Sequence, residues 1–273
     1  MSGGGFDAAR FSGAVPRAYQ TYLVPLLFAP YAEVLTARVM AHRPRRVLEV
    51  AAGTGVLTRA MASRLPSDVE IVATDLNPSM LDHAAAIGTA RPVEWRTADA
   101  QSLPFPDAGF DLVVCQFGAM FFPDRPGAYA EARRVLRAGG TFLFSTWTSI
   151  AENELAHTVQ ATLAGLYPDD PPRFMERTPH GYHDVEAIVR DVAAAGFPAR
   201  PRIDTLTLRS RAKSPRDAAI AYCEGTPFRG EIEARGAPGL EAATDAAERA
   251  IARRFGAGAI DAAMRAHIVE AAR

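Results

Sequence analysis

The chain has 273 residues, 48% of them apolar and 22% charged, enough for one large domain or two small ones. Its 30 basic and 31 acidic side chains leave a formal charge of −1, which argues against a nucleic-acid partner. Cys115 and Cys223 lie far apart without zinc spacing, no histidine–carboxylate cluster reads as a metal site, and a reducing, cytoplasmic setting is expected.

Residues 1–12 are Gly-rich, lack the apolar core of a signal peptide and are expected to be flexible. From Pro16 to Met40 the apolar positions Leu23, Leu26, Leu27, Val34, Leu35 and Val39 predict one or two helices. Pro25, Pro30, Glu33 and Arg38 interrupt that stretch and argue against a membrane span. Strands are expected near 46–51, 69–74, 93–97, 110–116 and 140–147, separated by helices. Asn77-Pro78 and Asp124 ahead of Pro126 mark helix starts, and Gly139-Gly140 is expected to stop the fourth helix. Such alternation predicts an α/β fold, a parallel sheet with helices on both faces. Beyond Trp147, Glu152–Leu166 reads as a helix, and Asp184 caps a second over Val185–Ala195 that Gly196 ends. Residues 200–208 alternate as a strand, 214–260 are Ala-rich and mostly helical, and 264–271 read as a final strand or a last helix.

The most informative stretch is Arg46-Val-Leu-Glu-Val-Ala-Ala-Gly-Thr-Gly-Val-Leu-Thr-Arg59. A buried strand, a turn carrying Gly53 and Gly55, and a helix start make a crevice in which backbone N–H groups face a nucleotide. The next strand ends in Asp75, about twenty residues on, where a ribose-binding carboxylate belongs. These features read as an adenosine site. In the dinucleotide fingerprint the third small residue falls at Thr58, a β-branched residue, so an NAD(P)-dependent oxidoreductase is the weaker reading.

The acid-first pattern Glu49-x-Ala51-x-Gly53-x-Gly55 resembles motif I of the class I S-adenosylmethionine-dependent methyltransferases. Ala98-Asp99-Ala100-Gln101 at the third strand's end, the fourth strand running into Gln116-Phe117, and Glu131 through Gly139-Gly140 to Trp147 resemble the later motifs in order. The resemblance covers roughly residues 45 to 148 and is nearest to the branch containing the ubiquinone/menaquinone C-methyltransferases. It implies a Rossmann-like seven-stranded sheet, mostly parallel, with an antiparallel last strand between the fifth and sixth. It also implies a single domain over 1–273, with a cofactor-binding core at about 41–148 and helical lid segments at 13–40, 150–185 and 212–262. The implied cofactor is S-adenosyl-L-methionine, with S-adenosyl-L-homocysteine as product. A protein of this fold with nonmethylating or no catalysis is a further alternative.

By the same resemblance, Gly53 and Gly55 let the backbone approach the ligand, and Glu49 and Ala51 lie beside its amino-acid part, Glu49 toward the ammonium. The family more often has Asp and Gly at those two positions. Asp75 accepts the ribose hydroxyls, Leu76 and Met80 pack on the adenine, and Asp99 and the Ala100 N–H meet its edge. Gln116 and Phe117 border the methyl group, and Tyr22, with Tyr19, walls the pocket. Met120, Phe121 and Phe122 suggest a small-molecule acceptor of apolar or aromatic character. His183 and His180 are the candidate general bases, ahead of His157, Tyr19, Tyr22, Tyr182 and Glu224. The arginines at 43, 45, 46, 133, 134 and 137 read as solvated helix ends. Either a monomer or a homodimer fits.

Overall fold

The computed structural model describes residues 15–273; the stretch expected to be flexible, 1–12, lies outside them. Seven strands form one sheet in the order β3-β2-β1-β4-β5-β7-β6. They are β1 (Arg46–Val50), β2 (Glu70–Asp75), β3 (Glu94–Thr97), β4 (Phe110–Gln116), β5 (Leu136–Trp147), β6 (Arg202–Ala212) and β7 (Ile260–Ala272). The first five run parallel, β1 pairing with both β2 and β4, while β7 lies antiparallel between β5 and β6. The strand order therefore reverses at β1, and the crevice beyond the carboxyl ends of β1 and β4 is where an open α/β sheet places a ligand.

Residues 264–271 are strand, not helix, and both β6 and β7 run longer than their alternation predicts. Their eleven-pair ladder carries the two strands onward beneath the N-terminal helices, where Tyr31 Oη donates to the Leu206 carbonyl at 3.0 Å and Ser210 Oγ to that of Leu26 at 3.0 Å. Backbone carbonyls at that end are satisfied by neighbouring side chains, which no local pattern can reveal.

The N-terminal run is α1 (Val15–Ala18), a π-helical stretch (Tyr19–Phe28) and α2 (Ala29–Ala41). By length and apolar composition Tyr19–Ala41 is able to cross a membrane, yet half of its most apolar window is buried within the fold. Leu23, Leu26, Leu27, Tyr31, Leu35 and Val39 join the core, and Arg38 pairs with Asp204 at 2.7 Å and Glu270 at 2.8 Å. The core helices are α3 (Val56–Arg64), α4 (Pro78–Ile87) and α5 (Arg125–Val135); Asn77 and Asp124 cap the last two as the sequence predicts. α5 stops at Val135, ahead of Gly139-Gly140, because Leu136 already pairs with Phe110 in the sheet. The intervening residues form a bulge before Thr141 meets Leu112. After β5 come α6 (Glu154–Leu166), α7 (Phe174–Arg177) and α8 (Val185–Ala194); α9 (Pro215–Cys223), α10 (Phe228–Glu233) and α11 (Gly239–Phe255) fill the insertion between β6 and β7.

Two of the arginine expectations need correction. Arg134 is not a solvated helix end: it donates to the carbonyls of Leu103 and Phe105 and pairs with Asp107 and Glu131, fastening the loop after β3. Arg46 lies over the Phe110 ring at 4.6 Å and donates to the Gly109 carbonyl.

Candidate active site

A cavity of about 330 Å³ opens at the carboxyl ends of β1, β2 and β4. Its nucleotide-facing wall is the turn after β1. Gly53 sits at φ +57°, a conformation that favours glycine, and its open face lies 3.8 Å, measured from an added Cβ, from the Tyr19 hydroxyl. Ala51 adopts φ +56°, a conformation costing an L-residue about 1–2 kcal/mol, which explains why glycine is the commoner choice there. Asp75 fixes the turn: its Oδ2 accepts the Gly53 N–H at 2.7 Å and its Oδ1 the Asn77 N–H at 2.9 Å. Burial raises its pKa, partly offset by those N–H groups. A carboxylate has about four lone-pair sites, so with the Leu76 N–H also bonding it capacity remains for a ribose hydroxyl.

Leu76, Met80, Asp99 and Ala100 line the same end, and Asp99 Oδ1 is held by the Gln101 N–H at 2.9 Å. Ala51, Gln116 and Phe117 line the cavity too. Gln116 is oriented by its Nε2 donating to the Phe28 carbonyl at 2.7 Å. Phe117, at φ +52°, stacks on Trp147 with ring centroids 3.8 Å apart.

Three of the residues expected around the cofactor do not line the cavity. Tyr22 is half-buried and packs against the core, whereas its neighbours Tyr19, Leu23, Leu27 and Phe28 form the wall. Gly55 lies under Trp95, 2.7 Å from where its Cβ would be, and serves the start of α3 at φ +77°. Glu49 is buried, and its Oε2 accepts the Thr58 hydroxyl at 2.5 Å, joining β1 to α3. Thr58, which weakened the dinucleotide reading, is thus the partner of the acid that replaces that fingerprint. Desolvation pushes Glu49 up to about 8, against the pull of the Thr58 hydroxyl and Arg59.

The histidines expected to act as bases stand outside the cavity lining. His180 is buried behind Trp147, ring centroids 6.0 Å apart, with Nδ1 against the Thr148 carbonyl at 2.9 Å. Burial lowers its pKa to about 4, so the ring is neutral and Nδ1 is the donor. His183 is exposed, its Nδ1 2.7 Å from the His180 carbonyl. Both border a second, open hollow with Arg173 and Arg177. His157 is exposed, the Tyr182 hydroxyl bonds Asp191 at 2.8 Å, and Glu224 accepts from Thr244. None of these three lines the cavity either.

The far end is apolar: Phe121 and Phe122 follow β4, Phe174, Met175 and Pro179 come from the segment before α8, and Thr226-Pro227 from the approach to α10. Each of the three segments expected to form a lid, 13–40, 150–185 and 212–262, therefore contributes residues to the wall. The sequence pointed to Met120, Phe121 and Phe122, of which Met120 does not line the cavity; Phe174 and Met175 come from the one-turn helix α7, and Pro179 and Thr226-Pro227 from loops. Among the described residues no cluster of three or more metal-ligating side chains occurs.

A family model described as a methyltransferase domain matches residues 48–144. The chain is 33% identical over 168 residues to a demethylmenaquinone methyltransferase of Thermus thermophilus, covering 58% of this chain and 76% of that one. It is 45% identical over 106 residues to a demethylmenaquinone methyltransferase of Deinococcus radiodurans, covering 38% of this chain and 44% of the relative. The chain thus spans less than half the length of several curated relatives it matches. The solved structure of a SAM-dependent methyltransferase from Thermotoga maritima superimposes with a TM-score of 0.57 at 15% identity, covering 97% of this chain and 99% of that one. Sequence kinship and sheet order agree: the chain belongs to the class I S-adenosylmethionine-dependent methyltransferases, related to the demethylmenaquinone methyltransferases.

Proposed function

We propose that the protein transfers a methyl group from S-adenosyl-L-methionine to a small apolar or aromatic acceptor, releasing S-adenosyl-L-homocysteine. One observation carries the reading: the Gly53 turn, at φ +57° and pinned by Asp75, stands at the head of a cavity that ends in Phe121, Phe122 and Phe174. When bound, the cofactor supplies an activated methyl group on a sulfonium.

Asp75 would hold the ribose diol, Leu76 and Met80 the adenine faces, and Asp99 with the Ala100 N–H the adenine edge. Gly53, Ala51, Gln116 and Phe117 would border the remainder. Glu49 acts from beneath the turn, bonded to Thr58, and not as a wall residue. Among the described residues, the ionisable groups lining the cavity are Tyr19, Asp75 and Asp99. Burial and the nearby Asp75 push the Tyr19 hydroxyl well above its ordinary range, so it stays protonated. The geometry therefore supports catalysis by alignment and exclusion of water, with His180 bracing Trp147 and His183 uninvolved in proton transfer.

Core residues 41–148 and the lids 13–40, 150–185 and 212–262 would act as one catalytic unit, in the cytoplasm, as a monomer or homodimer. Two free, buried thiols suit that compartment. The test is incubation with methyl-labelled cofactor and a host metabolite extract. Label appearing in a small apolar species supports the reading; cofactor binding without transfer to any species defeats it.

A further inference from the structure

The acceptor end of the cavity is closed by two pieces of chain that lie outside the parallel core. One is the strap 170–181, which presents Phe174, Met175 and Pro179; the other is Thr226-Pro227 at the approach to α10. Two residues four apart fasten them together. Glu231 Oε2 accepts the N–H groups of Arg173 at 2.8 Å and Phe174 at 3.1 Å, while Oε1 accepts from the Arg177 guanidinium. Arg235 donates to the carbonyl of Asp170 at 2.6 Å, to its carboxylate at 3.1 Å and to the Pro171 carbonyl at 3.3 Å. The Glu231 side chain is only 14% exposed, so its three donors face little competition from water.

Resting on the reading of this cavity as a methyl-transfer site, we propose that Glu231 is a positioning residue that sets acceptor affinity independently of cofactor affinity. Its side chain does not line the cavity. It holds the backbone at Arg173 and Phe174, and so fixes the apolar wall against which the acceptor packs. Dispersion contacts weaken by a quarter to a half over a gap of about 0.5–1 Å, so a loosened strap is felt directly by an apolar acceptor. The cofactor end stands on β1, β2 and the loop after β3, held by Asp75 and Arg134, and does not depend on the strap.

The test uses the full chain and the variants Glu231→Ala and Glu231→Gln. Glutamine keeps an oxygen for the two backbone N–H groups but turns an amide toward Arg177, so its effect is the smaller. S-adenosylhomocysteine affinity by calorimetry is expected to stay within about twofold. Half-saturation by the extract component that the wild type methylates is expected to rise about tenfold in Glu231→Ala, the order of one lost charge-assisted hydrogen bond. Amide exchange at Arg173 and Phe174 quickens in the same order. A general loss of structure would weaken both ligands alike. Equal half-saturation in the folded alanine variant, or an equal fall in cofactor affinity, overturns the proposal. Should the wild type bind S-adenosylhomocysteine but methylate nothing, the functional reading fails instead. The exchange arm then decides the fastening alone: unchanged exchange at residues 173 and 174 refutes it.

Discussion

Replacing Asp75 by asparagine probes the cofactor end with the least disturbance. The carboxylate already accepts the backbone N–H groups of Gly53 at 2.7 Å and Asn77 at 2.9 Å, with that of Leu76 also bonding it, and its remaining lone pair is open to a ribose hydroxyl. Asparagine retains one accepting oxygen. Its amide nitrogen must then face at least one of these N–H donors, so a turn contact and a hydrogen bond accepted from the ligand are lost together. A hydrogen bond to a charged group contributes about 1.5–3 kcal/mol, so affinity for S-adenosylhomocysteine should fall about 10- to 150-fold. The lost turn contact should lower stability by about 1 kcal/mol, leaving a folded protein. Calorimetric titration, with circular dichroism to verify the fold, measures both. A folded variant that binds within threefold of the wild type would remove Asp75 from the site.

Three other outcomes follow from the geometry. Gly118→Ala should destabilise by about 1–3 kcal/mol, because its Cβ would stand 2.6 Å from the Ala51 Cβ and 2.8 Å from Cys115 Sγ; an unchanged melting temperature contradicts that packing. Glu49 has its folded pKa raised from 4.5 to about 8, so the stability tied to its protonated form is complete below pH 4.5 and lost as pH rises through about 8. Glu49→Gln should flatten that fall in ligand-free protein, by at most about 5 kcal/mol; an identical pH–stability curve in the variant shows that the carboxyl has the same pKa folded as unfolded. His183→Ala should leave turnover within twofold, since its ring stands outside the cavity lining. A large drop in single-turnover rate would restore it as a base.

The parallel half of the sheet was legible because its signals are local. Alternation, capping by Asn77 and Asp124, and the glycine turn each act over a few residues, and they led directly to Gly53, Asp75 and Asp99. Features set by distant partners were not legible. Leu136 ends α5 because it pairs with Phe110, and β6 and β7 lengthen because the N-terminal helices cover them. Glu49 and Gly55 fall in the right motif but serve Thr58 and Trp95, contacts that only packing creates. His180 and His183 stand in a loop that approaches the acceptor end, yet α7 and that loop place Met175 and Pro179 in the cavity wall and leave the imidazoles outside it. The acceptor wall was hidden for the same reason, since Phe174, Thr226 and Pro227 meet only through the tertiary contacts of α7 with α10.

The most direct test is a crystal structure of the protein with S-adenosylhomocysteine. The ribose hydroxyls should lie on the Asp75 carboxylate, the adenine between Leu76 and Met80, and the thioether sulfur should point toward Phe117 and the apolar end. A ligand bound elsewhere, or a nicotinamide dinucleotide taken up in that cavity in preference to it, would contradict the methyl-transfer reading.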